Sequence, residues 1–331
     1  MQVIEHLHNN ARQRNATVVL PEGTDPRVIK AAAMMADGNI VTPVLLGNVA
    51  DITQIAEREQ VTLSNNIHIV DPSQSDHLDD FATRLYELRK AKGMTRTQAK
   101  EQMQQPLTFA AMMVQTDWAH GCVAGAVHAT SDVLRTGLQI IGLAKGTTIA
   151  SSVFLMVLPD GTAMTYGDCG MVPYPDTQQL ATIAVASAQT HRQLTGQDPV
   201  VAMLSFSTKG SAKHESVSKV QEATVIAQQM AEAMSLDIPI DGELQFDAAY
   251  VAAVGARKAP NSPVTGRANV FIFPNLDAGN IAYKITERLG GAEALGPIIQ
   301  GLAKPMHDLS RGCKAEDIVT MGAICAVQAL K

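Results

Sequence analysis

Near the end of the 331-residue chain, the run "HDLSRGCKAED" (307–317) holds several groups that handle phosphate and acyl chemistry. Ser310 supplies a hydroxyl donor and Arg311 a guanidinium that can grip a phosphoryl group with two parallel N–H bonds, while Asp317 is a carboxylate able to accept a proton. Each residue also has a plainer reading. Ser310 suits a turn, Arg311 suits an ion pair with Asp308, and Glu316 and Asp317 suit the first turn of a helix, where acids complement the dipole.

Other segments invite the same question. "SFSTKGSAKH" (205–214) follows an apolar strand and precedes a helix beginning near Ser216; Ser207, Thr208, Lys209 and Gly210 there could present backbone N–H groups to an anion at a helix start. The GxxxxGK[ST] spacing is absent, and a Ser-rich loop that merely caps the helix fits as well. "AGAVHATSDVLR" (124–135) also runs from strand into helix, with Thr130, Ser131 and Asp132 as N-cap candidates. Arg135 falls on the first turn in this reading, a place hostile to a cation without a neutralising anion; a pair with Asp132 is the plainer account, and His128 reads as structural. "YELRKAKG" (86–93) puts Arg89, Lys90 and Lys92 on a helix, where a solvated face explains them. In "DGELQFDAAYV" (241–251), Asp241, Glu243 and Asp247 suit acid/base work or helix capping.

Short β-branched runs must position these loops: 16–21, 41–47, 67–71, 121–126, 148–158, 200–206 and 268–274. They alternate with segments of helical periodicity at 26–37, 177–195 and 216–235, the signature of βαβ units around largely parallel sheets. "PDG" (159–161) breaks the rhythm and predicts a hairpin between 148–158 and 162–168. The length suits two domains. The closing segment carries Ile318, Met321 and Cys325 at helical spacing and needs an earlier surface to pack on.

Composition excludes several classes of partner. Hydrophobic residues make up 46% and charged residues 18%, the net charge is -6, and no basic run is interleaved with aromatics, so nucleic acid is not expected. No apolar run is long enough to span a bilayer and the N-terminus lacks a signal-peptide core, which predicts a cytoplasmic protein. Cys122, Cys169, Cys313 and Cys325 show no CxxC spacing and read as buried, reduced thiols, with no metal site expected. HExxH, GxSxG and GxGxxG are absent.

Together, "AMLSFSTKGSA" (202–212), "DGELQFDAA" (241–249), "KAPNSPVTGRANVFIFPNLDAGNIAYKI" (258–285), "GPIIQGLAKPMHDLSRGC" (296–313) and "AEDIV" (315–319) make the chain resemble the phosphotransacetylase (phosphate acetyltransferase) family along essentially its whole length. The resemblance implies an α/β fold of two three-layer domains with a cleft between them, like isocitrate and isopropylmalate dehydrogenases. It implies a first domain of 1–141 plus 302–331, a second of 142–301 that forms a homodimer, and a C-terminal segment that returns to the first. It also implies Ser310, Arg311 and Asp317 as the catalytic trio, with Arg89 and Arg135 matching the family's "ELRK" and "SDxLR" arginines. Ser131 and the 207–210 loop are then substrate-binding candidates. The implied substrates are CoA and acetyl phosphate, with no further cofactor. Phosphate propionyl- or butyryltransfer is the nearest alternative; an NAD(P)-dependent decarboxylating dehydrogenase and a silent regulatory module are more distant ones.

Overall fold

A computed structural model describes residues 2–329 as a mixed α/β protein with two sheets. In chain order the strands are β1 (Thr17–Leu20), β2 (Thr42–Leu46), β3 (His68–Val70), β4 (Gly121–Ala124), β5 (Ser151–Val157), β6 (Ala163–Gly167), β7 (Val201–Leu204), β8 (Ile240–Leu244), β9 (Val270–Ile272), β10 (Glu293–Gln300) and β11 (Met306–Asp308). The chain divides into two compact units, one of Ile4–Lys145 with the residues from Leu302 onward, the other chiefly of Gly146–Gly301. Each is built on one sheet.

The first sheet has the order β11-β4-β1-β2-β3 and is parallel throughout. The chain winds outward from β1 to β3, then reappears on the other side of β1 as β4. The strand order therefore reverses between β1 and β4, and loops leaving the C-terminal ends of these strands form the crevice where ligands bind in open α/β sheets. The helix Pro26–Asp37 starts where Asp25 accepts from Arg27 N and Pro26 occupies the first helical position. Its buried stripe includes Val28, Ile29, Ala32 and Met35.

The final helix, Ala315–Ala329, is buried from Ile318 to Val327 and packs where two glycines leave room. A Cβ on Gly322 would come within 2.6 Å of Met35 Cε, and one on Gly121 within 2.3 Å of Cys325 Sγ. Only bare backbone lets this helix settle against β4 and the helix Pro26–Asp37. A cluster including Leu85, Met103, Phe109 and Met112 forms a second core within this unit.

The second sheet has the order β10-β5-β6-β9-β7-β8; the pairs β10/β5 and β5/β6 are antiparallel and the others parallel. The expected PDG hairpin closes through Leu158 N to Thr162 O at 2.9 Å. The helix Thr177–Thr195 carries a capping box between Asp176 and Gln179 and stops at Gly196, in the left-handed region at φ 71°. Strands β8, β10 and β11 fall outside the runs read from sequence. β11 lies inside the charged cluster itself, so His307 and Asp308 are buried sheet residues and not part of a turn.

Candidate active site

Three loops leave the C-terminal ends of β1, β4 and β11, and they are hydrogen-bonded into one assembly. Glu22, just past β1, is buried and accepts from the backbone N–H groups of Gly125, Ala126, Val127 and His128 at 2.8 to 3.1 Å. Burial alone would raise its pKa, but these amides and the His128 ring outweigh it and hold the carboxyl below its usual range. Glu22 is therefore ionised, and His128 Nδ1–H donates to its Oε1 at 2.8 Å. That hydrogen bond raises the His128 pKa against the opposing effect of burial.

Arg27 links the loops. It donates to Ala126 O at 2.8 Å, Arg311 O at 2.7 Å and Cys313 O at 3.2 Å, and pairs with Asp25 at 2.8 Å. Thr130 Oγ1 donates to Asp308 Oδ2 at 2.6 Å. Gly125, at φ 108°, faces Asp308 and Leu309 so closely that a Cβ would stand 2.3 Å from Asp308 Oδ1. Burial pushes Asp308 up to about 6, the Thr130 hydroxyl resisting, and its Oδ1 has no hydrogen-bond partner among the described residues.

On this base the chemical groups of the cluster point outward. Ser310 and Arg311 are exposed, and the Arg311 guanidinium makes no hydrogen bond or ion pair among the described residues. Asp308 is tied to Thr130, so the plain reading of an Arg311–Asp308 pair does not hold. Ser310 Oγ accepts from Gly312 N at 3.3 Å, which leaves the hydroxyl hydrogen free to donate. Asp317 Oδ2 accepts from Lys314 N at 2.8 Å, so the first-turn role is real for one carboxylate oxygen and Oδ1 stays available. Cys313 is buried and its thiol is pushed up to about 11, consistent with scaffolding.

The other candidates are placed less uniformly. Arg89 ends the helix Leu78–Arg89, half-buried, with no partner for its guanidinium among the described residues and no hydrogen bond joining it to the cluster. Arg135 lies in the last turn of the short helix Thr130–Thr136, not the first, and pairs with Asp132 at 3.0 Å. With side chains 60% and 47% exposed, that pair contributes little and an arriving anion can compete for the arginine. Neither Thr130, Ser131 nor Asp132 is an N-cap, because Ala129 holds that position without a side-chain hydrogen bond. Ser131 is exposed beside Thr130.

The 205–214 loop, in the other unit, already holds an anion of its own. The Glu243 carboxylate accepts from Ser207 Oγ at 2.8 Å, Gly210 N at 2.8 Å and Gln221 Nε2 at 2.8 Å. Burial opposes ionisation of Glu243, but these donors keep its pKa below the usual range. Lys209 Nζ pairs with Asp241 at 2.5 Å, and Thr208 Oγ1 accepts from Gln245 N at 2.9 Å. In this structure these donors are engaged within the unit, and a phosphate arriving here would compete with Glu243 for Ser207 and Gly210.

Glu22 and Arg27 are not singled out by the local sequence pattern, and Asp308 reads there only as a partner for Arg311, since the partners of all three lie about a hundred or more residues away along the chain. A glutamate just beyond the first strand, in "LPEG", was the available signal. A cavity of about 360 Å³ lined by Asn15, Asn39, Thr42, Asn65 and His68 sits at the starts of β2 and β3, the opposite edge of the sheet from this cluster. Among the described residues no group of three His, Cys, Asp or Glu side chains could hold a metal ion, and no helix is long and apolar enough to cross a membrane.

Comparison with known proteins gives the context for this geometry. The chain is 47% identical to a phosphate acetyltransferase of Thermoanaerobacterium thermosaccharolyticum, across 99% of this chain and 100% of that one. The EutD phosphotransacetylase structure from Staphylococcus aureus is 44% identical, with a TM-score of 0.94 over 99% of this chain and 98% of its own. A Salmonella typhimurium chain provisionally described as a 4-hydroxythreonine-4-phosphate dehydrogenase, 12% identical, matches 95% of this chain and 99% of its own with a TM-score of 0.55, a likeness of fold alone. With the phosphate acetyl/butaryl transferase family model matching residues 2–326, the chain belongs to that family of acyltransferases.

Proposed function

We propose that the chain transfers an acetyl group reversibly between acetyl phosphate and CoA, with Ser310, Arg311 and Asp317 as the reacting constellation. The observation that carries this reading is the end of β11, where an exposed arginine without a partner among the described residues follows a serine whose hydroxyl hydrogen is uncommitted there, with a carboxylate that uses one oxygen to cap the final helix. A free thiol with a pKa near ~8.5 is only a few per cent thiolate at neutral pH, so a base is needed. Asp317 Oδ1 takes the thiol proton as the sulfur bonds to the carbonyl carbon. The carbon–oxygen bond to phosphate then breaks, and phosphate leaves with the electron pair.

Ser310 donates to the developing oxyanion, and Arg311 balances charge on carbonyl and phosphoryl oxygens. Arg135 and Ser131 bind phosphate in this scheme, and Arg89 reaches CoA or phosphate. Ser207, Thr208, Lys209 and Gly210 act indirectly, by holding their loop in shape. Thioester formation from acetyl phosphate and CoA by the purified protein tests the reading, and its absence refutes it. Turnover of propionyl and butyryl phosphates alongside fixes the acyl chain, since one methylene is worth only ~1–3 kcal/mol of discrimination.

The same reading takes the enzyme as a cytoplasmic homodimer of two-domain chains, divided near 141 and 301. Support for the dimer is an apolar stripe of Ile281, Ile285 and Leu289, 58%, 53% and 84% exposed, along and just past the helix Leu276–Arg288. Sedimentation equilibrium checks it.

A further inference from the structure

We propose that Glu22 is a positioning residue that aims His128 at the substrate, so that His128 Nε2–H donates to a phosphoryl oxygen of the acyl phosphate. This rests on the reading above for the identity of the substrate. The loop that bears the histidine is itself held by Glu22. Its four successive amides from Gly125 to His128 all converge on one buried carboxylate, and the ring's own Nδ1 joins them at 2.8 Å. With Nδ1–H committed to Glu22, the tautomer and ring orientation are fixed and the second nitrogen is left for another partner. No described residue takes it, and the side chain is 32% exposed.

The location is as informative as the orientation. The loop lies at the end of β4, beside the strand-order reversal, and is bracketed by contacts to the reacting segment. Gly125 abuts Asp308 and Leu309, Ala126 O is held by the arginine that also holds Arg311 O, and Thr130 binds Asp308. His128 sits between those anchor points. The ring is held at Nδ1 by Glu22, and the side chain is exposed enough for a ligand to reach it.

The charges around the ring come from several elements. Glu22 follows β1 and Asp132 lies on the helix Thr130–Thr136 that begins two residues past the histidine, and these two act on the ring; further off, Asp308 ends β11, Asp25 and Arg27 sit at the helix Pro26–Asp37, and Arg311 is on the loop after β11. Glu22 and Asp132 both favour the protonated ring, with Glu22 dominant. The cation is present below the raised pKa and lost as pH rises through it, so phosphoryl affinity falls in the same direction.

Calorimetric titration with inorganic phosphate, alongside acetyl transfer kinetics, tests the proposal in the wild type and three variants. His128→Asn keeps a donor toward Glu22 but removes Nε2; it should weaken phosphate binding and raise KM for acetyl phosphate roughly tenfold or more, leaving KM for CoA unchanged. His128→Gln restores a neutral donor near the Nε2 position, giving an intermediate loss and no pH step. Glu22→Gln should move the His128 titration, followed by its ring proton resonance, to lower pH. Unchanged phosphate affinity and an unchanged pH profile in His128→Asn overturn the proposal. If the wild type lacks transfer activity but His128→Asn still loses phosphate, the acetyltransfer reading falls and the phosphate contact stands.

Discussion

At the C-terminal edge of each sheet a buried glutamate takes up donors from a loop, yet the neighbouring cations are treated differently. Glu22 collects four backbone amides and a histidine, while the adjoining loop leaves Arg311 exposed without a carboxylate partner. Glu243 collects Ser207 and Gly210, and the neighbouring cation, Lys209, is neutralised by Asp241. The first edge therefore presents one arginine, Arg311, with no ion-pair partner among the described residues, while the cation at the second is already neutralised. In this chain the donors of a Gly/Ser/Lys loop before a helix already face an anion supplied by the fold, Glu243.

This contrast can be broken by mutation. Arg311→Ala should lower the transfer rate by ~3–4 kcal/mol of transition-state stabilisation, with little change in melting temperature, because the side chain is exposed and makes no hydrogen bond or ion pair among the described residues. Glu243→Ala should do the reverse. Orphaning the donors of Ser207, Gly210 and Gln221 costs about 2–4 kcal/mol of stability in denaturant titration, with near-normal turnover per folded molecule.

Asp308 sharpens the picture of the reactive edge. Its folded pKa of about 6 lies above the unfolded value, so its contribution is fully present below about pH 4 and is lost as pH rises through about 6. Asp308→Asn should remove about 2–3 kcal/mol of that pH dependence, read as a flatter stability profile between pH 4 and 7. Lys209→Ala and Cys313→Ala mark the small end. Each should change the transfer rate by less than about 1 kcal/mol, since neither touches a reacting atom in this account. A large loss of phosphate affinity in Lys209→Ala would make the second edge a binding site.

Much of this architecture was legible from local pattern. Helices 26–37 and 177–195 begin and end where Asp25, Asp176 and Gly196 cap them, and the β-branched runs became strands. What escaped was governed by distant partners. "MHD" looks like part of a charged turn and is a buried strand because β4 pairs with it, and "EALGPIIQ" forms β10 despite its glycine and proline. The trio Ser310, Arg311 and Asp317 was visible as a motif, but the support beneath it was not. Glu22, Arg27 and Asp308 act across separations of about a hundred residues or more, which periodicity and spacing do not encode.

The most direct test of the central claim, that thioester chemistry runs from the end of β11, is the turnover number of Asp317→Asn beside Glu316→Gln in acetyl transfer from acetyl phosphate to CoA. Both acids lie in the first turn of the final helix, but only Asp317 is assigned the thiol proton. The account predicts a loss of roughly a hundredfold or more for Asp317→Asn and almost none for Glu316→Gln, as removal of a general base requires. Near-wild-type turnover by Asp317→Asn would contradict it.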